Sequence, residues 1–467
     1  MGTALRRWVP ASVAVLLANG VFLLLALWAA RLPREPLAAK IERAFAAGEL
    51  IENDWPWLDG HRGFNQYHDC SVLQMVSNRD ARVWAAAMGP RIYNLNRGET
   101  DRCATLRALV TGGPGTTPYL TYRYTRYWHG YIPITAALLS VLEIRQVRQV
   151  LRLSLYGALL VLVAAAGTRD RRLLAVAASV GITGMLFWSV RYFGTSLTHG
   201  SGDIAVILGL AILLHWRHRL SRPETLIPFC AVYGAIVVYL EFLTALLPTA
   251  AGLLVPLVYV IGRLRAGADG EPRRAGRLAL AALLAFGAGA ALTVAVKQTL
   301  AVVVVGPEAA STFAQYLQRY LNPSPGAALR HFGETWTSTD DPLLLSSLKA
   351  LYAVLTQGYV LTYGSQTGAL ALYAASALSW LAAGWMAVTT RRPAALHDFL
   401  GFAAGVAIIV AWALTFQTHT TIHKWWMVRM LLVPLAFGWG ALGWELLARA
   451  RPRPQPDPIE ARVHDVS

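Results

Sequence analysis

Carboxylates, histidines and arginines stand beside aromatic residues in a few short stretches of this chain. Glu52-Asn-Asp54-Trp-Pro-Trp-Leu-Asp59 comes first, then Asn65-Gln-Tyr-His68-Asp69-Cys70 and Tyr122-Arg123-Tyr-Thr-Arg126-Tyr-Trp128-His129-Gly130-Tyr131. Later come Ser196-Leu-Thr-His199-Gly-Ser-Gly-Asp203, Tyr239-Leu-Glu241-Phe-Leu-Thr244, and His419-Thr-Thr-Ile-His423-Lys424-Trp425-Trp426 with Arg429 close behind. A carboxylate can take the proton of an attacking hydroxyl. Arg and Lys hold phosphate oxygens, and aromatic walls with a few polar groups bind the rest of a ligand.

Each group also has a plainer reading. Trp and Tyr at the ends of membrane spans serve as interfacial anchors. Arg191, at the outer end of its apolar run, can snorkel. Glu241 lies between two apolar runs, where a carboxylate is costly and usually functional, although a hydrogen-bonded turn residue would look the same. His419 and His423 have the i, i+4 spacing of two metal ligands on a helix. A His-Glu-x-x-His zinc site would need Glu where this chain has Thr420. Hydrogen bonding to a sugar or phosphate, with Lys424 and Arg429 adding charge, suits the pair better. A divalent metal stays open as a cofactor.

The elements that must position these residues are membrane helices. Of 467 residues, 55% are hydrophobic and only 15% charged, with a mean hydropathy of +0.42; soluble domains carry about 25% charge. Apolar runs recur near the ~20 residues needed to cross ~30 Å of hydrocarbon. They are continuous rather than alternating, which excludes a barrel and leaves helices to satisfy the backbone. Val13 to Leu32 is long for a signal peptide and is followed by Arg31 and Pro33 rather than a cleavage site, so it reads as a retained first span.

The net charge of +16 does not imply a nucleic-acid partner, because its arginines fall in the gaps between apolar runs. Arg169, Arg171 and Arg172 form one cluster, Arg217, Arg219 and Arg222 another. Arg263, Arg265, Arg273, Arg274 and Arg277 form a third, followed by Arg391 with Arg392, and by Arg449, Arg451 and Arg453. Cytoplasmic loops retain such residues. With Arg6 and Arg7 also inside, spans near 13–32, 148–167, 173–192, 203–216, 224–241, 244–262, 278–300, 367–389, 398–416 and 427–447 place every basic gap on one side.

The expected architecture is an all-α polytopic membrane protein of about ten transmembrane helices with both termini cytoplasmic. Residues 1–32 form the N-tail and first span, and 33–147 a long first extracytoplasmic loop holding the acidic and Tyr-Trp-His-Gly-Tyr stretches. Spans occupy 148–300, a second outer loop 301–366, the last spans 367–447, and a disordered tail 448–467. The polar stretches all fall on the outer side. A Cys70–Cys103 bridge is permitted there and would staple a loop too small for a large core of its own; Cys230 lies within a span as packing.

A lipid-phosphate sugar presents an apolar tail, a phosphate and a sugar, and the outer face offers a component for each. In plan, the chain resembles the GT-C superfamily of polyprenyl-phosphate-dependent glycosyltransferases. More specifically, Tyr127-Trp-His-Gly-Tyr131, Tyr239-Leu-Glu-Phe-Leu-Thr244 and His419-Thr-Thr-Ile-His423 are similar to motifs of a bacterial multi-spanning group identified as GT-C members. That group has an acidic residue before a short apolar helix in the first loop, matched by Asp69, and usually Asp where this chain has Glu241.

The resemblance implies an inner-membrane enzyme moving a sugar from a polyprenyl-phosphate donor to a glycan, lipid or protein hydroxyl on the extracytoplasmic face. Asp69, or else Asp54, is the expected base, with Glu241 a further catalytic acid. Arg123, Arg126, Lys424 or Arg429 would stabilise the phosphate; Trp128, His129 and Trp425 would hold sugar or acceptor, and His199, His419 and His423 would add hydrogen bonds. The competing readings are a lipid-linked glycan or solute transporter or flippase, and an O-antigen ligase or polymerase. A transporter would place charges near mid-membrane and carry inverted repeats; here the charges gather at span ends.

Overall fold

The computed structural model describes residues 2–53, 57–58, 61–62, 66–77, 82–95, 102–112, 120–167, 170–187, 193–241, 244–265, 271–321, 345, 348–349, 351–352, 354–355, 366–390, 392 and 394–450. The protein is an integral membrane protein built mainly of helices. Eight described helices are long and apolar enough to cross a bilayer. They are α1 (Gly2–Arg31), α7 (Ile144–Ala166), α11 (Pro223–Leu240), α12 (Leu246–Arg265), α13 (Pro272–Val305), Gln366–Thr389, Ala395–Thr415 and, with the turn before it, Leu432–Arg449. Helices α8 (Arg171–Phe187) and α9 (Gly200–His215) occupy the other two expected spans but run only 17 and 16 residues.

The outward faces carry bare apolar side chains, such as Leu17 and Leu24 on α1 and Leu381 and Trp385 further on, the inverse of a water-soluble surface. Inside the bundle, small residues let backbones touch. Gly234 of α11 faces the carbonyl of Phe286, and Gly289 of α13 faces the backbone of Ala231. Two apolar helices gain contact this way where lipid tails would otherwise compete on equal terms.

The basic gaps converge at one end. Arg7 pairs with Glu224 at 2.9 Å, which brings the start of α1 beside the start of α11. Asp398 accepts from Arg263 Nε at 2.7 Å and pairs with Arg392 at 3.1 Å, and Arg392 also reaches Glu445 at 2.5 Å.

At the opposite end sits the segment expected as a loop, and here the fold differs from expectation. Four helices, α2 (Glu35–Ala46), α3 (Gln66–Ser77), α5 (Arg102–Thr111) and α6 (Tyr131–Val141), bury a cluster that includes Leu37, Ile41, Leu73, Leu106 and Leu139. The amphipathic α2 lays Leu37, Ile41 and Ala44 on this core, while α3 is buried on nearly all sides within it. Two short strand pairs accompany the helices without changing the α class. Trp57–Leu58 pairs with His61–Arg62, and Arg91–Asn94 pairs with Leu120–Arg123, each antiparallel. Cys70 and Cys103 form a disulfide joining α3 to α5.

This cap is bolted to the bundle by α13, whose 34 residues span about 51 Å, well beyond the hydrocarbon. Trp128 Nε1 donates to the Thr293 carbonyl at 3.3 Å, Gln298 donates to the Arg126 carbonyl at 2.7 Å, and Lys297 donates to the carbonyl of Met88 at the end of α4 (Val83–Met88). In the expected second loop, α13 runs on to Val305 and α14 (Glu308–Leu321) follows.

Candidate functional site

The polar residues meet where the cap, the starts of α9 and α12, and the end of α11 come together. Glu241 caps the C-terminus of α11, and His199 precedes the first turn of α9. Their side chains touch: Nδ1 of His199 lies 2.9 Å from Oε2 of Glu241. Arg429, in the short 3-10 turn Val428–Leu431, reaches Asp203 Oδ1 at 2.8 Å and Glu241 Oε2 at 3.2 Å, and pairs with Glu241 Oε1 as well. Thr244 closes the group: its hydroxyl donates to Glu241, and its carbonyl accepts from Arg429 at 3.1 Å.

Aromatic rings roof this cluster. His68 stacks on Trp426 with centroids 4.2 Å apart, and His199 lies 5.7 Å from His68 and 5.9 Å from Trp426. His423 stands 4.9 Å from Trp426, with His419 4.4 Å beyond it. Among the described residues no set of three Cys, His, Asp or Glu side chains is grouped as metal ligands. Glu241, Thr244, Thr198 and His68 also line a cavity of about 50 Å3, walled by Tyr67, Tyr122, Tyr124, Tyr127 and Tyr131.

Burial sets the protonation states. It pushes His68 down to about 3, helped by His199, Arg102 and Arg429 and opposed by Glu241. His199 is likewise lowered by burial, against the opposing pull of Glu241. A neutral His199 that donates from Nδ1 to Glu241 carries its lone pair on Nε2, and that atom has no hydrogen-bond partner among the described residues. A carboxylate that fixes the tautomer of a neutral histidine leaves the far nitrogen ready to accept a proton.

Several expected roles do not match the positions found. Asp69 is fully buried; Oδ1 accepts from Leu197 N at 2.9 Å and Ser196 Oγ at 3.1 Å, and Oδ2 pairs with Arg148 at 3.1 Å. It ties α3 to the turn before α9 and to α7, and it does not line the cavity. Burial raises its pKa, against Arg148 and these hydrogen bonds. Arg429 cannot serve as an uncommitted phosphate ligand, because two carboxylates already share its guanidinium. Arg123 donates to the carbonyls of Gly89 and Ala85 at 3.1 and 3.3 Å, which makes it a brace for α4.

Trp128 is buried at the α13 junction rather than presented to a ligand. His129 uses both ring nitrogens: Nε2 lies 2.8 Å from the Tyr124 carbonyl, so it carries the proton, and Nδ1 accepts from the Tyr131 hydroxyl at 2.8 Å. Those bonds hold His129 at φ 57°, a left-handed conformation uncommon outside glycine. Arg126 lies 4.0 Å over the Tyr316 ring and 5.3 Å over the ring of Tyr124, one of the cavity tyrosines. Asp54 and Arg191, and the side chains of Lys424 and Trp425, lie outside the described residues.

Sequence reasoning quoted His68, Asp203 and Trp426 within its polar stretches but gave them no role. Their adjacency to Asp69, His199 and His423 was the available signal. Arg148, between Arg145 and Arg152, and Lys297, a single cation inside an apolar run, have partners that no local motif marks. Compared with protein-family models, curated proteins and solved structures, the chain matches none of them.

Proposed function

We propose that the protein is a membrane glycosyltransferase that moves a sugar from a polyprenyl-phosphate donor to a hydroxyl of a glycan, lipid or protein. In this reading the site end of the bundle faces outward from a bacterial inner membrane and the basic end faces the cytoplasm, following the positive-inside rule. The observation that carries the reading is the Glu241–His199 pair, with Nε2 of His199 unpartnered beneath His68 and Trp426. It supplies an oriented base whose partner, Glu241, lines the aromatic cavity, and deprotonation of an acceptor hydroxyl requires such a base.

In the proposed step, the acceptor O–H gives its proton to His199 Nε2 and the oxygen attacks the anomeric carbon. The bond from that carbon to the phosphate oxygen breaks, and the lipid phosphate leaves with the electron pair. Arg126, beside the cavity tyrosines, is the cation best placed to steady the departing charge. Asp69 positions the His68 helix against the His199 turn and takes no proton from substrate. A sugar ring exceeds the cavity's volume of about 50 Å3, so binding requires its lining side chains to move.

A transporter reading draws on Lys297, a cation buried within the span of α13. Its bond to the Met88 carbonyl accounts for it as a clamp on the cap, so the transferase reading is preferred.

Membranes holding the protein are incubated with a panel of lipid-phosphate sugars, and glycosylated products are analysed for wild type, His199→Gln and Glu241→Gln. Donor-dependent product that falls about a hundredfold or more in both variants supports the reading. Full activity in His199→Gln removes the base assignment; solute uptake without product from any donor removes the transferase.

A further inference from the structure

At the basic end, arginines from four separate helix ends surround one cavity of about 850 Å3. Arg7 comes from α1, Arg222 immediately precedes α11, Arg265 ends α12, and Arg274 and Arg277 lie in the first two turns of α13. Glu224 is the one acid among the lining residues, so the lining carries five positive charges against one negative, a net +4. Arg7 is held by Glu224, and Arg265 donates to the carbonyl and hydroxyl of Ser221 at 2.9 Å each. Arg222, Arg274 and Arg277 make no side-chain hydrogen bond or ion pair among the described residues.

Orientation in the membrane accounts for basic residues at this end, yet not for their convergence on a shared space without counter-charge. A neighbouring group at this end shows the contrast. There Arg263 and Arg392 are neutralised by Asp398 and Glu445. Around the large cavity the described lining supplies Glu224 alone, already paired with Arg7, and guanidiniums held close together repel one another until an anion joins them.

The rest of the lining shows what kind of anion fits. Ile227, Gly262, Ala275, Leu278 and Ala281 give the cavity an apolar floor. On α13 the residues three and seven positions beyond Arg277 are Leu280 and Leu284, both more than half exposed. Helical spacing sets them on the face that continues from Arg277 along the bundle's outer surface. A ligand with a phosphate at one end and acyl chains at the other would satisfy both regions at once.

We propose that this cavity binds the phosphate headgroup of an anionic membrane phospholipid, with Arg222, Arg274 and Arg277 as its ligands and the exposed leucines of α13 against its chains. Basic pockets between membrane helices bind such headgroups by the same combination of charge and burial. The site lies at the opposite end of the bundle from the Glu241–His199 pair and does not depend on the transferase reading.

The test uses the full-length protein purified in neutral detergent and titrated with dioleoyl phosphatidylglycerol, dioleoyl phosphatidylcholine or inorganic phosphate. Bound lipid is counted by native mass spectrometry. Saturable binding of phosphatidylglycerol, at least about tenfold tighter than phosphatidylcholine, is expected. The combined variant Arg222→Gln/Arg274→Gln/Arg277→Gln should weaken it by roughly a hundredfold. Glu224→Gln removes the only acid of the lining and should tighten binding, a change that a misfolded protein cannot produce. Equal binding of the two lipids, an unchanged triple variant, or weaker binding in Glu224→Gln overturns the proposal. Inorganic phosphate competing at the same affinity as the lipid overturns the lipid assignment and leaves a free-anion site.

Discussion

The amide of Gly130 donates to the carbonyl of Tyr239 at 2.8 Å, so Tyr127-Trp-His-Gly-Tyr131 and Tyr239-Leu-Glu-Phe-Leu-Thr244 meet backbone to backbone. The Tyr239 ring in turn stacks on Phe22 of α1 with centroids 3.9 Å apart. Cap, first span and site-bearing turn are therefore joined at one point, and the contact depends on the missing side chain. A Cβ on Gly130 would stand 2.5 Å from the Tyr239 ring and 2.7 Å from its carbonyl oxygen.

Gly130→Ala is accordingly expected to destabilise the protein by about 1–3 kcal/mol. Gly20→Ala, with nothing within 4 Å of the added carbon, should be neutral or slightly stabilising. Thermal unfolding in one detergent compares them; equal midpoints would show that the contact is not tight.

Removing Arg429 leaves Asp203 and Glu241 facing each other in a buried site. Arg429→Gln should cost about 3–5 kcal/mol. Adding Asp203→Asn should recover part of that loss, because one of the two stranded charges disappears. A double variant no more stable than Arg429→Gln would mean that the acids do not repel through this site.

Asp69→Asn separates positioning from chemistry. An amide can accept from Leu197 and Ser196 but loses the ion pair with Arg148, so the cap should loosen against the bundle. Protease sensitivity of the cap should rise, whereas any product formed should keep the pH profile of wild type. A shifted profile with unchanged protease sensitivity would return Asp69 to the role of base.

Acid should weaken the fold through its buried neutral histidines. Burial, with help from neighbouring cations, holds both His68 and His129 near 3, against an ordinary value near 6.5. Between those values the unfolded chain binds protons that the native protein refuses, so stability is complete above about pH 6.5 and falls as pH drops. The raised Asp69 contributes a slope of opposite sign, set against the three lowered histidines His68, His129 and His199. Unfolding midpoints measured from pH 7.5 to 4 should decline, and His129→Gln should flatten the decline; a flat wild-type profile contradicts it.

The Cys70–Cys103 disulfide closes a loop with a sequence separation of 33. Replacing both cysteines with Ser should cost about 3–4 kcal/mol by chain entropy. The loss should localise to the cap, read as faster hydrogen exchange in 66–77 and 102–111 with the spans unchanged. Uniform loosening of the spans would show that the cap does not fold around its own core.

Long apolar runs separated by arginines were legible because bilayer thickness and backbone satisfaction leave a continuous hydrophobic segment a single solution. The polar stretches were legible as a set for the same reason: span alternation sends them to one end. Their roles were not. Asp69, Arg123 and Trp128 have the side chains of a binding site, but each is held by partners far away in sequence, as in the bond from Trp128 to Thr293, while His129 is taken up by its near neighbours Tyr124 and Tyr131. The cap helices leave no such mark because they are short and bury their faces against one another and against the cap-side ends of α1 and α7. Which carboxylate faces a histidine, and which arginine keeps a counter-ion, depends on distances of a few ångströms between segments up to hundreds of residues apart. Local pattern carries no record of those distances; packing alone brings His199, Glu241 and Arg429 together and leaves Asp69 behind them.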